Sequence, residues 1–193
     1  MGEGSVGRKI GGVGTRGIPD IQGGVETHCE ELYPRLAAMG HDVTVVRRSC
    51  YVTPQNKIKE YRGVHLKDIY APRRKSIEAI VHTFLAIIYA RWVGADVLHI
   101  HAIGPALLTP LARLLGLRVV MTHHGPDYDR QQWNKTAKAV LSWAERMGAT
   151  YANEVIVIPT VIDNNLREKY DRTNATLIYN GVNRPAPANT NSY

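Results

Sequence analysis

The sequence has 193 residues, of which 44% are hydrophobic and 21% charged, and it contains two cysteines. These values are typical of one globular domain, and they exclude an intrinsically disordered chain and a disulfide-rich scaffold. No apolar run approaches the roughly 20 residues of a membrane-spanning helix, so we expect a cytoplasmic protein. The net charge of +7 favours acidic partners. Because no motif for base recognition is visible, we do not expect nucleic acid among them.

Segments of strand and helix character alternate along nearly the whole chain. Apolar and β-branched runs predict strands at 9–13, 42–47, 58–62, 64–70, 96–101, 117–122, 155–158 and 175–179. Helical spacing of apolar residues predicts helices at 24–39, 76–92, 105–115 and 134–152, and a short helix after Thr160. This alternation is typical of an α/β, Rossmann-like, doubly wound and mostly parallel sheet with helices on both faces. We expect this domain to span residues 9–183, between a disordered or extraneous segment 1–8 and a linker-like tail 184–193.

Two of the predicted helices have a recognisable apolar face. In the helix 76–92, large apolar residues recur every three or four positions, as in the core-facing stripe of an amphipathic helix. They are Ile77, Ile80, Val81, Phe84, Leu85, Ile88 and Trp92. In the helix 134–152, we expect Val140, Leu141, Ala144 and Met147 to point inward.

Polar residues and glycines follow three of the predicted strands at the point where each strand ends. In an open parallel sheet, ligands bind beyond the carboxyl ends of the strands. After the first strand, Gly23 and Gly24 let a phosphate or a sugar hydroxyl approach the N–H groups that begin a helix. Arg16 in the same loop offers a forked donor for phosphate or carboxylate. His101 ends the strand 96–101, and we expect it to bind substrate at this edge.

His124 and Asp127 follow the strand 117–122. An imidazole at a strand end can form a hydrogen bond with a hydroxyl or a phosphate at neutral pH. Asp127 can orient a hydroxyl or take its proton, although a Gly-Pro-Asp sequence is equally typical of a turn. These two residues are the candidate catalytic groups.

The first loop also permits a dinucleotide-binding interpretation. Gly12, Gly14 and Gly17 match the pattern G-x-G-x-x-G, which places a pyrophosphate at a helix N-terminus. Helical periodicity begins only at Gly24, however, and arginine rather than an acidic residue closes the second strand. Arg47 would suit the 2′-phosphate of NADP, so an NADP-dependent oxidoreductase domain remains an alternative.

The histidines permit a metal-binding interpretation. His99, His101, His123 and His124 come from two strands that can be neighbours. Carboxylate and thiolate partners at metal-ligand spacing are lacking around them. We therefore expect no metal, and we expect His99 to be buried with its hydrogen bond satisfied.

Several segments in order resemble bacterial family 4 glycosyltransferases. GTRGIP at 14–19 and GGVET at 23–27 resemble the opening of that family, and THHGPDY at 122–128 resembles its T-x-H-G segment. IYNGVN at 178–183 resembles the passage that leads to the second domain. The resemblance implies the two-domain GT-B fold, of which this sequence would be the N-terminal, acceptor-side domain. The C-terminal domain, which holds most of the nucleotide-sugar pocket, would be absent, and the isolated domain would be inactive.

The resemblance also implies a reaction and roles for individual residues. Such an enzyme moves a sugar from a nucleotide-sugar donor to a hydroxyl of a saccharide or lipid-linked glycan, and it needs no metal or other cofactor. Gly23 and Gly24 match the loop that lies against the donor phosphates and the acceptor. His124 matches the histidine that contacts the transferred sugar or the acceptor hydroxyl, and Arg16 lies near the cleft. Asp127 leaves both retaining and inverting chemistry open.

A basic run, Arg73, Arg74 and Lys75, precedes the helix 76–92. It is either a solvated charge run or a site that docks on an anionic membrane, where lipid-linked acceptors reside. The second interpretation predicts a protein bound peripherally at the inner face of the membrane. A non-catalytic module that binds phosphorylated glycans or membrane is a further alternative.

Overall fold

A computed structural model describes residues 7–74, 77–125, 135–158 and 175–178. The eight strands in these residues are β1 (Lys9–Val13), β2 (Asp42–Arg48), β3 (Glu60–Tyr61), β4 (Val64–Ile69), β5 (Val97–His101), β6 (Arg118–His123), β7 (Glu154–Val157) and β8 (Ala175–Leu177). The five α-helices are α1 (Gly24–Ala38), α2 (Glu78–Trp92), α3 (Ile103–Ala106), α4 (Thr109–Leu114) and α5 (Lys135–Tyr151). The predicted helix after Thr160 and the segment 184–193 lie outside the described residues.

The strands form one sheet in the order β3-β4-β2-β1-β5-β6-β7-β8. All neighbouring pairs are parallel except β3 with β4, which are antiparallel. The chain builds outward from β1 on one side and from β5 on the other, so the strand order reverses between these two strands. In a sheet of this kind the crevice at the reversal is the expected ligand site. The predicted Rossmann-like fold class is confirmed.

Two hydrophobic clusters cover the two faces of the sheet. One includes Cys29 and Tyr33 of α1 packed on β1, β2 and β4. The other includes Ala86 of α2, Ala106 of α3 and Ala112 of α4, packed on β5, β6 and β7. Helices therefore lie on both faces, and the polar loops are left at the edge where the strands end.

The predicted helix 105–115 is wrong in its continuity. It is divided into α3 and α4, separated by a turn at Leu107 and Leu108. Pro110 lies in the first turn of α4, where its missing N–H has no helical partner to lose, whereas inside one long helix it would remove a hydrogen bond.

The predicted orientation of α2 is also wrong. Its large apolar residues point outward, with Ile77, Phe84, Leu85 and Ile88 between 36% and 45% exposed and Trp92 81% exposed. The buried side of α2 consists of Glu78, His82, Thr83, Ala86, Ile87 and Ala90. Small residues on that side let the helix approach the sheet closely, since a Cβ on Gly11 of β1 would lie 3.7 Å from Cβ of Ala90. Five of the seven residues of the predicted stripe are therefore left exposed, and Ile80 and Val81 are half-buried.

The apolar face of α5 is only partly as predicted. Ala144 is buried, whereas Val140 is 48% exposed. None of the helices in the described residues is long and apolar enough to cross a membrane.

Candidate functional site

The loop between β1 and α1 is fixed by the carboxylate of Glu26. The hydroxyl of Thr15 and the backbone N–H of Arg16 both donate to Oε1 of Glu26, at 3.2 and 2.9 Å. Glu26 is buried in the first turn of α1, where the helix dipole favours a negative charge. The glycine-rich loop is therefore held against the start of α1, at the carboxyl end of β1.

Gly23 and Gly24 play different parts at this helix start. A Cβ on Gly23 would overlap Oε2 of Glu26, whereas a Cβ on Gly24 would meet nothing within 4 Å. The carboxylate of Glu26 thus explains the glycine at 23 without a ligand. Gly24 faces open space and leaves room for a ligand at the helix N-terminus. Arg16 is exposed at the same place, with Nη1 donating to the carbonyl of Gln22 at 3.1 Å.

The glycines of the dinucleotide pattern serve the protein's own packing. A Cβ on Gly12 would overlap the Tyr33 hydroxyl, and one on Gly14 would overlap the carbonyl of His101. A Cβ on Gly17 would lie 2.8 Å from the side chain of Arg47. The protein's own side chains and backbone therefore explain these three glycines without a pyrophosphate.

Arg47 is also buried and hydrogen-bonded within the protein. It is fully buried, with Nε donating to Oδ1 of Asp68 at 2.7 Å and Nη1 donating to the carbonyl of Asn56 at 2.7 Å. Because its guanidinium is buried and donates to other protein groups, it is not available to bind a 2′-phosphate. The hypothesis of an NADP site built on these residues is therefore wrong.

A row of hydrogen bonds runs from α1 through the end of β5 to the end of β6. The Tyr33 hydroxyl lies 2.7 Å from Nε2 of His101, and Nδ1 of His101 lies 3.1 Å from Nε2 of His124. We call Tyr33, His101 and His124 the histidine row. The ring of His28, one turn into α1, packs edge-on to His124 with centroids 5.2 Å apart. Residues after β1, β5 and β6 therefore meet at one edge of the sheet.

His124 is electrically neutral at physiological pH. Its pKa is lowered to about 4, mainly by burial and to a smaller extent by the neighbouring imidazoles of His28 and His123. Burial also holds the pKa of His101 well below its ordinary value. At the other end of the row, burial raises the pKa of the Tyr33 hydroxyl. Neither an imidazolium nor a tyrosinate is favoured here, so the three side chains of the row are all neutral.

Neutral imidazoles each carry one N–H, which restricts the row to two proton arrangements. If Tyr33 donates to His101, then His101 donates to His124, and His124 carries its proton on Nδ1. If His101 donates to Tyr33 instead, every bond in the row reverses, and Nδ1 of His124 is an acceptor. His124 can thus donate to a ligand oxygen or accept from a hydroxyl without changing its charge.

A second buried histidine fixes the backbone that follows His124. The N–H of Gly125 donates to Nδ1 of His123 at 3.1 Å, so the proton of a neutral His123 lies on Nε2. That Nε2 lies 2.8 Å from Oε1 of Glu145 on α5, and both side chains are buried. Glu145 therefore orients His123, and His123 positions the turn that carries His124.

The predicted site residues are thus only partly in the predicted roles. Arg16, Gly24 and His124 lie at the same edge of the sheet. His101 is completely buried and both its ring nitrogens are engaged, so it positions His124 and does not contact a substrate. Asp127 lies outside the described residues.

Sequence reasoning missed four residues that surround the candidate site. Glu26, His28 and Tyr33 on α1 contact the predicted residues Arg16, His124 and His101, and Glu145 on α5 contacts His123. Helical periodicity could have signalled Tyr33, which lies four residues after Cys29 on the same buried side of α1. No local signal marks the other three.

The described histidines form no metal site. His99 is buried, and its Nε2 lies 2.7 Å from the hydroxyl of Thr122, as expected for a satisfied core histidine. Within the described part of the chain, no group of three or more histidine, cysteine or acidic residues has a geometry suited to a metal ion.

Comparison with known proteins agrees with this geometry. No curated protein matches the chain. The sequence model of Glycosyltransferase Family 4 matches residues 22–184, which include α1, the histidine row and the turn after β6. The doubly wound sheet agrees with the Rossmann-like half of the GT-B fold. With most of its 193 residues inside that match, the chain belongs to glycosyltransferase family 4.

Proposed function

We propose that this chain provides the acceptor side of an enzyme that moves a sugar from a nucleotide-sugar donor to a hydroxyl of a saccharide or lipid-linked glycan. The observation that carries the proposal is the neutral histidine row at the reversal of strand order. Family membership assigns transfer of a sugar in general. The row, with Arg16 and Gly24 at the same edge of the sheet, supports the more specific proposal.

In this proposal His124 binds a sugar hydroxyl. A neutral imidazole that can either donate or accept suits a hydroxyl, which has one donor and two acceptor sites. The hydrogen bonds to His101 and Tyr33 hold the His124 ring in place, so little rotational freedom is lost when the substrate binds. An imidazolium would instead favour an anion.

Arg16 and Gly24 bind the anionic part of the donor. The Arg16 guanidinium is exposed, and the N–H groups at the start of α1 carry partial positive charge. Gly23 is a weaker partner for a phosphate than Gly24, because the carboxylate of Glu26 lies against it. The anion is therefore proposed to lie at Gly24, on the open side of the helix start.

In the transfer, the bond between the sugar and the diphosphate oxygen breaks and a bond from the sugar to the acceptor oxygen forms. The acceptor hydroxyl must lose its proton. The histidine row takes no net proton, because both its charged states are disfavoured. The proton therefore passes to the leaving diphosphate in a retaining reaction, or to Asp127 in an inverting one.

Transfer assays on the intact protein with a panel of nucleotide sugars and saccharide acceptors test this proposal. We expect His124→Ala to lower kcat/KM by roughly tenfold to a hundredfold, the loss of one or two hydrogen bonds. Asp127→Asn separates the two routes, because it abolishes an inverting reaction and spares a retaining one. Binding of NADPH without any sugar transfer, or transfer that His124→Ala leaves unchanged, would contradict the proposal.

A further inference from the structure

The outward side of α2 carries several large apolar side chains in a continuous stripe. We define the α2 outer face as Ile77, Phe84, Leu85, Ile88 and Trp92, all at least 36% exposed. Their spacing of three, four and seven residues places them on one stripe of the helix. Isolated exposed apolar residues are ordinary, but a continuous stripe of large ones marks an interaction surface.

The exposed charged residues within α2 and just before it are all basic. Arg73 and Arg74 are exposed just before α2, and Arg91 is exposed in its last turn. Glu78 is the only acidic residue of α2, and its carboxylate is buried against Arg48, with Nη1 of Arg48 donating to Oε1 at 2.7 Å. The apolar stripe therefore has cations at both ends and no exposed acidic residue along it.

The apolar stripe and its flanking arginines together indicate which kind of partner could cover it. Two copies of the chain that paired through it would bring arginines of one copy against arginines of the other, which is repulsive in either orientation. An anionic lipid leaflet offers apolar chains beneath negatively charged headgroups, which match the stripe and its flanking arginines. Trp92, with an apolar ring and one polar N–H, is of the type that lies at the headgroup boundary.

The position of α2 connects this face to the site. Helices that join parallel strands begin at the carboxyl edge of the sheet, and α2 begins with Glu78. The Arg48 guanidinium that binds Glu78 also donates from Nη2 to the carbonyl of Gly14 at 3.1 Å, in the loop that carries Arg16. A surface that covers α2 therefore lies beside the edge that holds the histidine row.

We propose that the α2 outer face docks on an anionic lipid leaflet, with the apolar stripe in the headgroup boundary and Arg73, Arg74 and Arg91 on the lipid phosphates. This is distinct from the proposed sugar transfer and stands on the exposed stripe and its charges alone. Docking presents the carboxyl edge of the sheet to molecules that reside in the leaflet.

Vesicle flotation of the intact protein tests the proposal. Vesicles of phosphatidylcholine alone are compared with vesicles that also contain phosphatidylglycerol, at low and high salt. We expect binding to the anionic vesicles, weakened by salt because exposed charges are screened. Arg73→Gln combined with Arg74→Gln should weaken binding roughly thirtyfold, in line with the attraction of two cations to an anionic surface.

The apolar half of the surface needs its own variant and a matched control. Phe84→Ser combined with Ile88→Ser should weaken vesicle binding at least about tenfold, because two partly exposed side chains lose their burial in lipid. Leu114→Ser is the control, since Leu114 on α4 is 84% exposed and lies outside this face. Circular dichroism verifies that each variant is folded.

Three outcomes overturn the proposal. The first is vesicle binding that is equal for the wild type and the Phe84→Ser, Ile88→Ser variant. The second is no vesicle binding together with a dimer that the same variant dissociates, which assigns the face to a second copy. The third is no vesicle binding by a monomer. Sugar transfer to a soluble acceptor is measured in parallel, and its loss or persistence tests the proposed function separately.

Discussion

The carboxyl edge of the sheet and the outer face of α2 depart from the usual arrangement of side chains in opposite ways. At the edge, His101, His123 and Glu145 are buried and hydrogen-bonded to one another or to neighbours. On α2, Phe84 and Trp92 are exposed. Buried polar groups and exposed apolar groups are the informative exceptions in a globular protein. Here the first exception supports the proposed site for a sugar hydroxyl, and the second supports the proposed lipid-docking surface.

The two regions also differ in what their stability depends on. The edge is held by polar contacts that need particular protonation states, whereas α2 is held by its buried side, where Ala86 and Ala90 pack on the sheet and His82 is buried. A change of pH should therefore act on the edge and on the buried side of α2, and a change of the buried Gly12 should act on the edge. Truncation of the exposed residues on α2 should leave the fold intact.

The largest expected effect is a loss of stability in acid. Burial, as the main cause, lowers the pKa of His99 to about 3 and the pKa of His82 and His124 to about 4. The unfolded chain takes up these protons near pH 6.5. The contribution of these neutral histidines to stability is therefore fully present above about pH 6.5. The free energy of unfolding falls as the pH drops toward the pKa values of the folded protein, by up to ~1.4 kcal/mol per pH unit for each histidine.

Urea denaturation between pH 7.5 and pH 4.5 measures this dependence. His99→Gln retains a hydrogen bond to Thr122 and should reduce the slope by one proton. A free energy of unfolding that does not change over this interval would show that the buried histidines are not held neutral.

Gly12→Ala should disrupt the hydrogen bond between Tyr33 and His101 at the carboxyl edge of the sheet. The added Cβ would overlap the Tyr33 hydroxyl and displace the ring from His101. Overpacking of this kind costs about 1–3 kcal/mol. Gly24→Ala is the matched control, because its Cβ meets nothing within 4 Å, and it should change stability by less than about 0.5 kcal/mol. Equal effects of the two substitutions in thermal denaturation would contradict this account of the two glycines.

The two sides of α2 can be compared directly. Ala86→Leu on the buried side should destabilise the protein by about 1–3 kcal/mol, since Ala86 is completely buried in the hydrophobic core. Ile88→Ser on the outer face should change the free energy of unfolding by less than about 0.5 kcal/mol. A large loss of stability from Ile88→Ser would mean that the outer face is part of the core.

Ala102→Gly should stabilise the protein, whereas the core substitutions above destabilise it, and its effect on the free energy of unfolding should be small. Ala102 follows His101 with φ 68° and ψ 160°, a conformation that is essentially reserved for glycine. Glycine relieves this strain but loses more entropy on folding, so a net stabilisation of about 1 kcal/mol is expected. A lower melting temperature would show that the backbone at Ala102 is not strained.

Much of the fold was predictable because its signals are local. The runs at 9–13 and 42–47 are β-branched or apolar and bounded by turn residues, and both form strands at nearly those bounds. The edge at which Arg16, Gly24 and His124 meet follows from strand direction alone. Their place at one edge could therefore be derived without coordinates.

The remaining features depend on contacts between distant segments. Periodicity locates the α2 stripe but does not say which side of the helix faces the sheet. In the structure the side with the small residues Ala86 and Ala90 packs on the sheet. The hydrogen bonds from His101 to Tyr33 and from His123 to Glu145 join separate elements of the chain. No local pattern of residues specifies such pairs.

A titration of the imidazole nitrogens of His124 by NMR spectroscopy shows whether the histidine is neutral at the place where we propose that a sugar hydroxyl binds. We expect a pKa of about 4, with His124 uncharged throughout the physiological range. A pKa near the ordinary value of about 6.5 would contradict it, because a solvated or charged imidazole would then lie where the hydroxyl is proposed to bind.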